Sequence, residues 1–343
     1  AYNVQFDPEP TFIDTLSFER YREREGWVAY RQFCQHFLAP LALMRYCDVR
    51  LGQLFRVFID GVPLDLASSL LPVATWLRPS LLAHLHLHAR AQRRFASQPD
   101  AAKRRDVAVS RAGLSGLIDN LEAVTRKLTW QHQESEWADY YSATNYSDTA
   151  ANDKERLVQE FLDQVAPAVV WDLGANTGRY SRVSANKGAF TIAFDVDPGA
   201  VERHFQAGRA RQDARVLPLV LDLTNPSPAI GWSNSERVQL SQRGAPDAIL
   251  ALALIHHLAI GNNVPLRKVA EFLAQLGRWL IIEFVPKDDS QVERMLASRV
   301  DIFPGYGQPM FETAFREYFD IARSEPIAHS KRVLYLMRRR LEV

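Results

Sequence analysis

The chain has 343 residues, 41 Lys and Arg against 40 Asp and Glu, and 47% hydrophobic residues. That length suffices for two domains, and a formal net charge of +1 with ordinary apolar content excludes a disordered or strongly polyionic chain. Cys34 and Cys47 are the only cysteines, which excludes a disulfide scaffold and points to a reducing compartment. No secretory signal is visible, and the most apolar stretch, Leu64 to Leu85, is broken by Pro72, Arg78 and Pro79, so no membrane span and a cytoplasmic location are expected. The chain begins with Ala1 instead of Met, so an excised fragment or a processed form is expected.

Residues 28–60 and 64–95 read mostly as helices, with Phe33, Phe37, Leu41 and Met44 at spacings of three and four. Residues 108–130 give a further amphipathic helix with Leu114, Leu117, Leu121 and Val124 on one face. His84, His86 and His88 alternate with leucines, and His84 and His88 stand at the i,i+4 spacing of two helix-borne metal ligands. No acid or cysteine lies nearby and Arg90, Arg93 and Arg94 follow, so a surface or interface role and no metal are expected. The basic run from Arg90 to Arg111, with Lys103, Arg104 and Arg105, suits phosphate backbones. The balanced total charge favours a solvated helix and loop, and no nucleic-acid partner is expected. Residues 1–147 are therefore expected to form a mainly α-helical domain. It ends in an aromatic loop carrying Trp137, Tyr141 and Tyr146, just before a helix at 152–165.

The second half alternates strands and helices. Val169-Val170-Trp171-Asp172-Leu173 is an apolar run that ends at an acid and enters the small-residue turn Gly174-Ala175-Asn176-Thr177-Gly178. Such a turn lets the backbone approach a ligand, and Asn is one of the few non-glycine residues that visits left-handed geometry at modest cost. A second strand runs through Phe194 to Asp195-Val196-Asp197, with Pro198 at a helix start. A third ends at Asp222-Leu223, a fourth (247–255) passes Ala251 into His256-His257, and a fifth spans 279–285. Helical patterns at 198–208, 264–277 and 288–299 separate them, which implies a parallel sheet buried on both faces. Asp197 reads as a turn or helix-cap residue. The Pro-rich segment 223–232 reads as a structured loop, with Trp232 anchoring it or packing over a ligand. Residues 318–322 and 332–337 read as two closing strands.

The ordered series Asp-Leu-Gly-Ala-Asn-Thr-Gly, Phe-Asp-Val-Asp-Pro, Leu-Asp-Leu and Leu-Ile-His-His-Leu resembles class I S-adenosylmethionine-dependent methyltransferases, and within them a nodulation-protein-like bacterial branch. The resemblance covers the chain from about residue 150 to its end. It implies a Rossmann-like methyltransferase domain at 148–343 with a C-terminal antiparallel hairpin, and an accessory domain at 1–147 that covers it and shapes the acceptor pocket. By resemblance, Asp172 and the backbone from Gly174 through Asn176 and Thr177 to Gly178 surround the methionine part of S-adenosylmethionine. Asp195, followed by Val196, takes the ribose hydroxyls. Asp222 and Leu223 face the adenine, and Ala251 and Tyr146 complete the cofactor set. Each acid taken singly also reads as a strand end or helix cap. His256 and His257 stand at the expected reaction centre, either as a general base or as residues that shape the pocket by hydrogen bonding.

The implied activity is methyl transfer to an oxygen or nitrogen of a small molecule, a natural product or saccharide, with S-adenosylhomocysteine as product and no metal. An Asn-Pro-Pro-aromatic motif, common in enzymes that methylate amino groups of DNA and protein, is absent at residues 255–258. Two other readings stay open: a non-catalytic binding module on the same fold, and an RNA methyltransferase. The N-terminal pattern Tyr2-Asn3-Val4-Gln5-Phe6 with Phe12-Ile13-Asp14 resembles the end of an aminoglycoside-kinase-like catalytic segment. With no preceding catalytic Asp, it reads as a β-hairpin without phosphotransfer activity.

Overall fold

The computed structural model describes residues 4–7, 9–96, 109–130, 147–297 and 300–341. The chain forms two compact units, residues 1–132 and 133–343. The aromatic loop with Trp137, Tyr141 and Tyr146, and the basic residues Lys103, Arg104 and Arg105, lie outside the described residues.

The first unit opens on the expected hairpin, β1 (Val4–Asp7) antiparallel to β2 (Glu9–Phe12). Helix α1 (Tyr30–Phe33) continues through a widened π turn (Cys34–Leu38) into α2 (Ala39–Tyr46). After it come α3 (Leu64–Leu70), α4 (Pro79–Leu81), α5 (His88–Ala96) and α6 (Arg111–Lys127). Leu38, Leu43, Leu64, Leu85 and Leu121 share one core; of the spaced residues read from sequence, Leu121 and Val124 lie within it and Phe33 and Leu117 pack part-buried against it, while Phe37, Leu41 and Met44 are only part-buried because the helix turns Cys34, Leu38 and Leu43 inward. The histidine run is corrected: His84 and His86 are buried, not on the surface. Nδ1 of His84 lies 2.7 Å from the Tyr30 hydroxyl and Nε2 lies 3.0 Å from Asn120 Oδ1. His86 contacts Ser68 Oγ at 2.8 Å and Thr75 Oγ1 at 2.9 Å. With both ring nitrogens satisfied, a neutral imidazole is tolerated inside, and burial lowers both pKa values to keep it neutral.

The second unit is built on a seven-stranded sheet in the order β5-β4-β3-β6-β7-β9-β8. Its strands are β3 (Val169–Leu173), β4 (Phe190–Asp195), β5 (Val216–Val220), β6 (Ala248–Ala251), β7 (Trp279–Phe284), β8 (Phe319–Pro326) and β9 (Val333–Arg339). The first five are parallel, and β9 enters antiparallel beside β7 with β8 as the edge. This is a Rossmann-like parallel sheet closed by the expected C-terminal antiparallel hairpin. The helices are α7 (Asp148–Val165), α8 (Arg179–Asn186), α9 (Pro198–Ala210), α10 (Leu266–Leu276), α11 (Ser290–Ala297) and α12 (Gln308–Arg316).

The pleat decides which side chains reach the site. Val170, Leu250, Ile281 and Leu334 pack under α7 and α8 with Val158, Phe161 and Tyr180. Trp171, Ile249, Ile282 and Tyr335 face the other layer with Leu273 and Phe311. By the same two-residue alternation, Asp172 and Glu283 share the face under α7. There they meet Lys154, which occupies the apolar stripe of that helix and is 3% exposed. Lys154 Nζ lies 2.6 Å from Glu283 Oε2. Arg332, 1% exposed, donates to Glu283 at 3.2 Å and to both Asp289 oxygens at 2.7 and 3.0 Å. Two positive and two negative groups thus leave water together, which is tolerable only while each keeps its partners. Arg332→Ala is expected to cost about 3–5 kcal/mol in denaturant unfolding, the scale for breaking a buried pair. A loss near that of a surface substitution would contradict the coupling.

Candidate active site

The small-residue turn leaves the end of β3 with three left-handed residues in five: Gly174 at φ 76°, Asn176 at 50° and Gly178 at 78°. All five of its backbone N–H groups are bonded. The N–H groups of Gly174 and Ala175 both donate to the Phe194 carbonyl at 2.9 Å. Asn176 N donates to Asp195 Oδ2 at 2.7 Å, Thr177 N to Asn176 Oδ1 at 2.7 Å, and Gly178 N to the Ala175 carbonyl at 2.9 Å. The other Asp195 oxygen accepts Asp197 N at 2.9 Å. Asp195 therefore fastens the turn to the end of β4 while facing the cavity. Asp197 is the N-cap of α9, its side chain accepting Gly199 N at 2.9 Å.

A cavity of about 800 Å³ opens at the carboxyl ends of the strands. It sits where β3 separates the branch through β4 from the branch through β6, the switch point at which open α/β sheets bind ligands. Of the residues singled out from sequence, Asp172, Gly174, Asn176, Thr177, Asp195, Val196, Asp222, Leu223 and His257 line it. Gly178 lies outside the lining, at the turn's exit into α8. Ala251 is 1% exposed within β6, and the following residues Leu252, Ala253 and Leu254 form the wall in its place. Tyr146 lies outside the described residues.

The two histidines part company. His257 lines the cavity, whereas His256 is fully buried with both ring nitrogens unbonded among the described residues. The rings lie 4.1 Å apart between centroids, so His256 backs His257 and does not face the cavity. Burial, reinforced by Arg332, pushes His257 down to about 4; burial and the neighbouring His257 hold His256 well below the usual imidazole range. Both rings are neutral near pH 7.

Asp172 is 2% exposed and accepts Ser181 Oγ at 2.5 Å. Burial raises its pKa to about 6 against the opposing pull of that hydrogen bond. Asp222 Oδ1 accepts the N–H and hydroxyl of Thr224 at 2.8 and 2.6 Å, an Asx turn that orients the carboxylate at the cavity wall.

Sequence reasoning missed Lys154, Arg179 and Arg182, which also line the cavity. Lys154 had a signal: it falls in the stripe Ala150, Lys154, Leu157, Val158, Phe161, where a lysine is out of place. Arg182 supports the turn by donating to the Thr177 carbonyl at 2.8 Å. Trp232 does not anchor its loop, being 83% exposed. Leu240, 5% exposed and donating its N–H to Ser227, anchors the loop to the core.

No protein-family model matches the chain. The nodulation protein NoeA of Rhizobium meliloti (strain 1021) is 38% identical over 347 residues, spanning 99% of this chain and 72% of that protein. The chain belongs to the NoeA family. Solved structures similar to this NoeA-family chain include the N-methyltransferase NodS from Bradyrhizobium japonicum WM9 in complex with S-adenosyl-L-homocysteine. That pair is 12% identical with a TM-score of 0.44, over 59% of this chain and 96% of that one. The magnesium protoporphyrin IX methyltransferase from Synechocystis PCC 6803 with bound S-adenosylhomocysteine is 17% identical with a TM-score of 0.41, over 60% and 93%. Among the described residues, no helix is long and apolar enough to cross a membrane.

The raised pKa of Asp172 has a thermodynamic consequence. The folded protein binds this proton more tightly than the unfolded chain, so stability falls as pH rises from about 4 to about 6 and then levels off. Removing the ionisable group while keeping an acceptor for Ser181 is therefore expected to stabilise the NoeA-family fold. Asp172→Asn should raise unfolding free energy at about pH 8 by on the order of 3 kcal/mol and change it little near pH 4. Equal or lower melting temperature of the variant at the higher pH would contradict this.

Proposed function

We propose that this NoeA-family protein is an S-adenosylmethionine-dependent methyltransferase. It acts on an oxygen or nitrogen of a small-molecule acceptor, a natural product or saccharide, and releases S-adenosylhomocysteine. One observation carries the reading: a left-handed glycine turn and the strand-end carboxylates Asp172, Asp195 and Asp222 converge on one cavity of about 800 Å³ at the sheet's switch point. The residues fit the donor. Gly174 at φ 76° packs against Leu254, leaving the turn bare of side chains where a ligand must approach the backbone. Asp195 spends one acceptor site on each oxygen and retains lone pairs for ribose hydroxyls. Asp222 has Oδ2 left for an adenine amine, since Oδ1 is taken by Thr224.

When bound, the donor supplies a methyl group already activated on a sulfonium. The protein's task is then alignment and exclusion of water. His257 is the cavity side chain suited to receive a proton from the acceptor's O–H or N–H. Its neutral ring is ready throughout the neutral range, and it loses that capacity only as pH falls toward about 4. His256 supports it through the ring contact.

Calorimetric titration with S-adenosylmethionine and S-adenosylhomocysteine is expected to show one site for each. Asp195→Ala should weaken both by about tenfold or more, the worth of charge-assisted hydrogen bonds to a ligand. His257→Ala should keep donor affinity and lower methyl transfer to a responsive acceptor by about a hundredfold. Failure of the wild-type protein to bind either molecule would refute the donor site, and binding without turnover across a broad acceptor panel would favour a binding module.

A further inference from the structure

The turn is clamped from a side that faces neither the cavity nor solvent. His204, on α9, is 2% exposed, and its Nε2 is buried without a hydrogen-bond partner among the described residues. The ring lies face-on against Gly178. A β-carbon placed on Gly178 would lie 2.0 Å from both Cε1 and Nε2 of His204 and 2.4 Å from Cδ2. No real β-carbon tolerates such distances, so Gly178 and His204 occupy adjoining space that admits nothing more. A polar ring buried without a partner costs stability. Leucine would fill the volume without that cost, but its branching methyls spread out of the ring plane. A flat ring face is the shape that lets a backbone rest at van der Waals contact. Arg182 completes the clamp: it holds the Thr177 carbonyl and, after burial itself, is the main influence keeping His204 uncharged, with a pKa pushed down to about 4.

We infer that His204 is a positioning residue of the donor site: its ring is the floor on which Gly178 rests, and it sets how far the turn projects toward the donor. This inference rests on the donor reading above. His204 does not line the cavity. It acts through the turn, and the sequence signal is Gly178 itself, which a left-handed φ of 78° and the ring both require.

A double-mutant cycle tests this with S-adenosylhomocysteine as the titrant and thermal melting as the second readout. His204→Ala removes the floor and is expected to weaken binding by about tenfold while the protein stays folded. Gly178→Ala drives a methyl into the ring and should abolish detectable binding. The double variant regains the space and should bind at least about tenfold more tightly than Gly178→Ala alone, the remaining deficit being left-handed strain. Leu273→Ala, a core truncation on the opposite face of the sheet, should lower the melting temperature and leave affinity unchanged. Wild-type affinity in His204→Ala, or a double variant no better than Gly178→Ala, overturns the inference. If the wild-type protein binds neither S-adenosylhomocysteine nor S-adenosylmethionine, the donor reading itself fails, and the role of His204 in donor binding falls with it.

Discussion

The second unit depends on one small constraint: the carboxylate of Asp195 accepts backbone N–H groups from two sides. Asn176 N at 2.7 Å comes from the turn after β3, and Asp197 N at 2.9 Å from the cap of α9. The first bond joins the ends of β3 and β4 beside the switch point and the second steadies the carboxylate that makes it, so the glycine turn has a defined height above the sheet. Burial pushes this carboxyl's pKa up while the backbone donors oppose it. An acid suits this place because it only accepts, and each oxygen keeps a lone pair beyond its backbone donor. The turn's left-handed residues persist because the surroundings over-determine them, as strained backbone at functional sites generally does.

Charge is arranged around the cavity at a cost to stability. Asp172 is ionised near neutrality although burial disfavours it, and Lys154 shares its face of the sheet only because Glu283 and Arg332 complete a neutral set. The same cluster reaches Asp289, whose oxygen accepts Gln291 N at the start of α11, and the connection between β8 and β9 through Arg332. The closing hairpin is therefore tied to the cavity wall by charge as well as by the β7–β9 ladder. Hydrophobic substitution of such sets is often neutral for stability. Retaining them places charged groups at the cavity, which an apolar wall does not do.

Much of this architecture was legible because parallel strands covered on both faces read as continuous apolar runs ended by acids. β3, β4, β6 and β7 lie within the expected segments, and the closing hairpin follows as read. What was not legible depended on tertiary neighbours. His256 and His257 are adjacent, and only the π turn that begins at His257 decides which ring meets the cavity. Alternation of histidine and leucine suggested a polar face at 84–88, yet Ser68, Thr75, Asn120 and Tyr30 turn two of those histidines into core residues. Helix α12 escaped notice although Pro309 stands in its first turn and Phe311 and Phe315 stand four apart. Of the two readings of Trp232, the loop anchor does not hold, since Leu240 and not Trp232 reaches the core.

In the proposed function, the turn from Gly174 to Gly178 and the Asp222 segment form one donor-binding surface. Amide hydrogen exchange with and without S-adenosylhomocysteine tests it most directly, because it reads local opening residue by residue. Added protection is expected at the amides of Gly174 through Gly178 and of Leu223 and Thr224, with β8 and β9 unchanged. Unchanged exchange at both segments in the presence of saturating ligand would contradict it.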